Sequence, residues 1–293
     1  MASIKSKIFS SLLHAVGLKQ SLEKEMTKGT INRKIDMPKP PKILKKKLDI
    51  KINQIEGKNV FILRKKHHVT NQVILYLHGG AYIHNINIQH WLFLESLIEA
   101  SNCTIIVPEY PLAPKNTYED AFKMVEPLYK QWIAQRGANN MILMGDSAGG
   151  GFALALAEKL RKEFVPQPAH IILLSPWLDI SMNNPDIKLV DGKDPLLGIE
   201  GLQLAGKSYA KETDVNHYLL SPINGPIEGL GEISLFIGTH ELFIADARKF
   251  KALCESKGIS INYFEYQEMP HDWVLMGFPE SKQAISEIIN LIG

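Results

Sequence analysis

Gly145-Asp146-Ser147-Ala148-Gly149 sets a hydroxyl between glycines two places to either side. A serine is a weak nucleophile unless a base takes its proton and the backbone presents the hydroxyl to a substrate. Met141 to Met144 reads as a buried strand and the Ala/Leu-rich stretch from about Ala148 to Glu163 as a helix. Ser147 therefore stands on a sharp strand-to-helix turn, where tiny neighbours are required and the helix N-terminus favours developing negative charge. The chemistry indicated is acyl transfer through Ser147; the competing reading is a glycine-rich turn with an incidental serine. Asp146 reads as a structural hydrogen-bonding residue.

His78-Gly79-Gly80-Ala81 follows another strand-like run, Val73 to Leu77, 69 positions before the serine. A tetrahedral oxyanion needs backbone N–H donors, each supplying roughly 3–4 kcal/mol, and glycines let the backbone come that close. The expected donors are Gly79 and Gly80, joined by Ala148. A base is expected in a loop after a late strand. His271 fits, since it follows Ile261 to Tyr266 and precedes the last helix. The acid should follow the strand Ile233 to Ile237, where Glu241 and Asp246 are both available. His240 rivals His271 by location, but it occupies the loop where the acid should stand.

These turns need a frame. Leu48 to Ile55 and Val60 to Arg64 read as a hairpin, after which strand and helix alternate through strands at 73–77, 104–107, 141–144, 171–174, 233–237 and 261–266. Helices are expected near 89–100, 118–135 (capped by Asn116 or Thr117), 148–163, 199–210, 243–256 and 279–291. That rhythm predicts an α/β fold with a mostly parallel eight-stranded sheet flanked by helices. Residues 179–229 break the rhythm and read as an insertion forming part of a cap. Residues 48–293 are the expected catalytic domain, and residues 1–47 a basic amphipathic helix with an extended Pro/Lys connector, a second cap element.

A net charge of +2 conceals an asymmetry: residues 1–66 hold 17 Lys/Arg against 5 Asp/Glu, and the remainder 16 against 26. The basic arm reads first as drawn to the protein's own acidic body, with anionic lipid as the alternative; nothing indicates a nucleic-acid module. Ile4, Ile8, Phe9, Leu12 and Val16 give the first helix an apolar face, expected to pack over the core or the site mouth, with peripheral membrane contact the minority reading. No run approaches a membrane span or a convincing signal peptide. Two cysteines without metal-ligand spacing imply no metal or cofactor and fit a reducing, cytoplasmic setting.

HGGA at 78–81 and GDSAGG at 145–150 occur together with Glu109-Tyr110-Pro111-Leu112-Ala113-Pro114, Ser175-Pro176-Trp177-Leu178-Asp179 and Met269-Pro270-His271. In this order the motifs resemble the hormone-sensitive-lipase-like bacterial esterases, a branch of the α/β-hydrolases. The resemblance runs from about Gln72 to the C-terminus. It implies the α/β-hydrolase fold and a serine carboxylesterase acting on short- to medium-chain, small-molecule carboxylic esters through an acyl-enzyme. It also places the triad acid three residues after Gly238, at Glu241, where the family commonly has Asp. Ala81 departs from a frequent third glycine but keeps its N–H. Tyr82 and Trp177 are weaker expectations as substrate-lining rings, core packing being the alternative. Amide or formamide hydrolysis, or ligand binding on a retired hydrolase fold, are the rival functions.

Overall fold

The computed structural model describes residues 2–16, 18–68 and 70–293. In chain order the elements are α1 (Ile4–Val16), α2 (Ser21–Lys28), α3 (Leu44–Lys47), β1 (Leu48–Ile55), β2 (Lys58–Lys65), β3 (Val73–Leu77) and α4 (Ile88–Ser101). There follow β4 (Thr104–Pro108), α5 (Tyr118–Arg136), β5 (Met141–Asp146), α6 (Ser147–Lys162), β6 (His170–Leu174), α7 (Ile187–Val190) and α8 (Ile199–Ala210). The chain ends with β7 (Glu232–His240), α9 (Ile244–Ser256), β8 (Ile261–Pro270) and α10 (Pro279–Ile292).

The strands form one sheet in the order β1-β2-β4-β3-β5-β6-β7-β8. β1 and β2 are an antiparallel hairpin, and β2 meets β4 antiparallel; every other pairing is parallel. β3, β4 and β5 are buried at every position, as strands covered on both faces must be. Alternate residues feed two core layers: Val73, Leu75 and Leu77 pack on one face, Ile74 and Tyr76 on the other.

Pairing register brings the motifs together. The chain leaves β3 toward β4 on one side and returns to place β5 on the other, a topological switch point of the kind where α/β sheets bind ligands. Leu77 pairs with Gly145, so the loop opening at His78 lies beside the turn at Ser147. At the other edge His240 pairs with Pro270 across an irregularity where β8 carries two more residues than β7, which sets Glu241 beside His271.

The N-terminal segment departs from expectation in three ways. The Pro/Lys connector is not wholly extended: Leu44–Lys47 makes a helical turn, because Leu44 buries completely and Lys47 pairs with Glu95 at 2.7 Å instead of repelling its neighbours. An unforeseen helix, α2, lies against α8, close enough that a side chain at Gly201 would press on the Glu23 backbone. The apolar edge of α1 is not buried, since Ile4, Ile8 and Leu12 are exposed and the helix is held by Phe9 on Phe278 and by Lys7 on Glu268 at 2.9 Å. Lys7, Lys19, Lys47 and Lys65 of the basic arm all meet carboxylates of the acidic body, the self-complementary arrangement. Exposed pairs of this kind contribute little to stability, because water and salt screen them. No helix among the described residues is long and apolar enough to cross a membrane.

Candidate active site

Ser147 opens α6 with φ +51°, a left-handed conformation that costs a non-glycine residue roughly 1–3 kcal/mol and is tolerated only where packing enforces it. Packing does enforce it. A Cβ at Gly145 would run into the Gly149 carbonyl, and one at Gly149 into the Leu77 carbonyl. The Trp177 N–H clamps the Ser147 carbonyl at 2.8 Å.

The side chains of Ser147, His271 and Glu241 form one buried relay. The Ser147 hydroxyl lies 2.9 Å from His271 Nε2, and His271 Nδ1 lies 2.7 Å from Glu241 Oε2. The second carboxylate oxygen, Oε1, accepts the Gly238 N–H at 2.7 Å and the Ser175 hydroxyl at 2.8 Å. Burial raises the Glu241 carboxyl, although hydrogen bonding and charge from His271 oppose the rise. Asp246 lies elsewhere, in the first turn of α9, where its carboxylate accepts from Asn184 at 2.8 Å. Burial lifts it to about 6. His240 makes no hydrogen bond to Ser147 or Glu241 among the described residues.

The donor set expected for the oxyanion needs correction. The Gly79 N–H donates to Asp146 Oδ2 at 2.9 Å, so it is not free for a substrate. The N–H groups of Gly80 and Ala81 have no acceptor among the described residues. Ala148 lies in the first turn of α6, where backbone N–H groups lack intrahelical partners. The N–H groups left free beside Ser147 are thus those of Gly80, Ala81 and Ala148, because only folding shows which N–H the Asp146 carboxylate takes.

Trp177 and Tyr82 are also placed differently from simple pocket lining. Both are fully buried in a row of rings: Tyr209 stacks on Tyr82 at 3.9 Å, Tyr82 meets Trp177 at 5.8 Å, Trp177 meets Phe243 at 5.8 Å, and Phe243 stands edge-on to His271 at 5.0 Å. This wall joins α8 to the relay, and its rings contact one another in place of solvent.

Two acids escaped the sequence reading. Asp272 Oδ2 lies 3.3 Å from His271 Nε2, on the side of the ring that faces Ser147; adjacency to His271 was the available signal. Asp194, from the segment between β6 and β7, accepts the Leu242 N–H at 2.8 Å and braces the Glu241 loop across 48 residues of chain, which no local pattern reveals. No cluster of three or more metal-ligating side chains occurs among the described residues.

A family described as "alpha/beta hydrolase fold" matches residues 74–275. An esterase of Acinetobacter venetianus is 28% identical over 221 residues, covering 74% of this chain and 73% of the relative. An acetyl-hydrolase of Streptomyces hygroscopicus is 28% identical over 217 residues, covering 73% of each. The solved structure of a hormone-sensitive lipase from a metagenome library superimposes with a TM-score of 0.83 at 22% identity, covering 100% of this chain and 98% of that one; its likeness is one of fold.

Proposed function

Because the chain belongs to the α/β-hydrolase family, we propose that this esterase- or lipase-type hydrolase is a serine carboxylesterase working through an acyl-enzyme on short- to medium-chain esters. Ser147 attacks the ester carbonyl while His271 Nε2 takes its proton. The oxyanion is held by N–H groups of Gly80, Ala81 and Ala148. His271 returns the proton to the departing alcohol, then activates the water that frees the acid. Glu241 keeps the Nδ1 proton in place and stabilises the imidazolium without becoming protonated. The observation that carries this reading is the relay itself, with Ser147, His271 and Glu241 in hydrogen-bond contact in the order acyl transfer requires. An intact relay argues against the retired, ligand-binding alternative.

Preference for small acyl groups draws support from the closed aromatic wall and from the name of the Streptomyces relative. With p-nitrophenyl esters, kcat/KM should be at least about tenfold higher for butyrate than for palmitate, as expected when the longer chain meets a closed wall of packed rings and has no room. Equal or faster turnover of palmitate would exclude the chain-length assignment. The exposed Ile4, Ile8 and Leu12 edge supports the minority reading of peripheral lipid contact.

The reaction needs His271 neutral. Burial disfavours its cation, but the charges of Asp272, Glu241 and Asp194, together with the Glu241 hydrogen bond, outweigh that and lift the imidazole to about 9. Activity must then rise with pH as the imidazolium deprotonates, with the acid limb of kcat/KM well above the ordinary imidazole value near 6.5. Burial raises the Asp272 carboxyl to about 8 while His271 opposes the rise, so the two titrate as a pair; Asp272→Asn removes the charge that pair shares, and its limb should move down. An unmoved or raised limb would show that Asp272 does not act on His271.

A further inference from the structure

Beneath the loop after β3 lies a second buried acid–imidazole pair that the proposed hydrolysis does not use. Asp146 has no exposed surface and His90 almost none. Asp146 Oδ2 accepts the Gly79 N–H at 2.9 Å and faces His90 Nε2 at 3.1 Å, while Oδ1 accepts the Tyr76 hydroxyl. His90 is fixed at its other end as well, with Nδ1 lying 3.2 Å from the Asn87 N–H and 2.9 Å from Asn87 Oδ1 in the capping box of α4. Three donors from three elements thus converge on one carboxylate, which adjoins Ser147 in the chain.

The tethered loop is one that would not hold its shape alone. Gly80, Ala81 and Tyr82 have φ of +110°, +53° and +59°, and the last two lie where side chains are disfavoured. Tyr110 holds the loop through the His78 carbonyl at 2.5 Å, and the Ile83 and His84 N–H groups close on the Gly80 carbonyl. Among the described residues the Gly79–Asp146 hydrogen bond is the one side-chain tie that joins this loop directly to the nucleophile turn. A Cβ at Gly79 would collide with that same carboxylate, so the approach is as close as backbone allows.

We infer that Asp146 and His90, braced by Tyr76, are positioning residues for the oxyanion site: they lock the Gly80 and Ala81 N–H groups at a set distance from that of Ala148. This rests on the proposed ester hydrolysis. The pair also has an electrostatic task. A lone buried carboxylate this close to a developing oxyanion would repel it, and the Nε2–H that His90 presents to Asp146 Oδ2 offsets that charge. Burial opposes a charged imidazole, yet Asp146 overcomes it and raises His90, while His90 in turn keeps Asp146 ionised against its own burial.

The test is a set of purified, folded variants assayed on a chromogenic butyrate ester and with a boronic-acid transition-state analogue. Asp146→Asn should lower kcat about 100-fold, the scale of a lost oxyanion donor, with KM within about threefold, and analogue affinity should fall in parallel with kcat. His90→Gln removes the ring that presents its Nε2–H to Asp146; it should lower kcat by a similar factor, and the double variant with Asp146→Asn should lose no more than about threefold beyond Asp146→Asn alone. A packing role alone would give additive losses that track thermal stability. Additive losses, or kcat within about threefold of wild type in both single variants, overturn the inference. Should Asp146→Asn fail to fold, His90→Gln and Tyr76→Phe decide by the same kcat-against-KM split. A wild-type protein inert toward every ester and toward fluorophosphonate defeats the proposed function itself, an outcome distinct from active variants.

Discussion

Ser147→Ala is expected to lower kcat on a chromogenic butyrate ester by about 10^6-fold and to abolish fluorophosphonate labelling. The effect is large because the serine and its base act as a unit. With Oγ gone, His271 Nε2 has no hydroxyl to deprotonate, and only binding and the oxyanion donors remain, a residue of roughly 10^3–10^4 over water. Folding should survive. The left-handed backbone at 147 is imposed by Gly145, Gly149, Leu77 and the Trp177 clamp on the carbonyl, none of which touches the hydroxyl, and alanine occupies less space than serine. Thermal melting within a few degrees of wild type would verify this. Labelling retained in the alanine variant, or more than about 1% of activity, would place the nucleophile elsewhere.

The parts of the site carried by local chain were the legible ones. A buried strand running straight into Gly-Asp-Ser-Ala-Gly dictates a turn, and Val73 to Leu77 running into His-Gly-Gly dictates another; fully apolar strands in an alternating α/β pattern can only be neighbours in a covered parallel sheet. The eight strands and the insertion helix at 199–210 follow from the same reasoning. What escaped depends on contacts between distant residues. That the Gly79 N–H is taken by Asp146 requires knowing that Leu77 pairs with Gly145, a register the sequence does not encode locally. α2 has no buried residue and little apolar character; it is a helix because α8 offers a surface to lie on. α1 departs from the usual inference from periodicity, since Ile4, Ile8 and Leu12 of its apolar face are exposed while Phe9 packs on Phe278, Ser6 is buried and Ser3 reaches Glu280.

The acid was the member of the relay that sequence left between two residues, and two substitutions separate them. Glu241→Gln should lower kcat about 10^4-fold with the fold intact, whereas Asp246→Asn should stay within about threefold of wild type. The Gly238 N–H can only donate, so a glutamine at 241 must turn its carbonyl oxygen toward Gly238 and Ser175, whose hydroxyl can follow. Its amide nitrogen then faces His271 Nδ1. Two donors cannot meet there, so the imidazole must take the tautomer with its proton on Nε2, aimed at Ser147 where an acceptor is needed. The neutral amide also withdraws the Glu241 charge that helps hold the imidazolium, so the small residual activity should show its acid limb at lower pH than wild type. Asp246 has none of these ties. Its carboxylate meets only the Asn184 amide, and an asparagine can keep that contact by flipping one of the two amides. Loss of more than about 100-fold in Asp246→Asn, with Glu241→Gln active, would reverse the assignment; near-wild-type rates in both would mean that neither carboxylate orients His271.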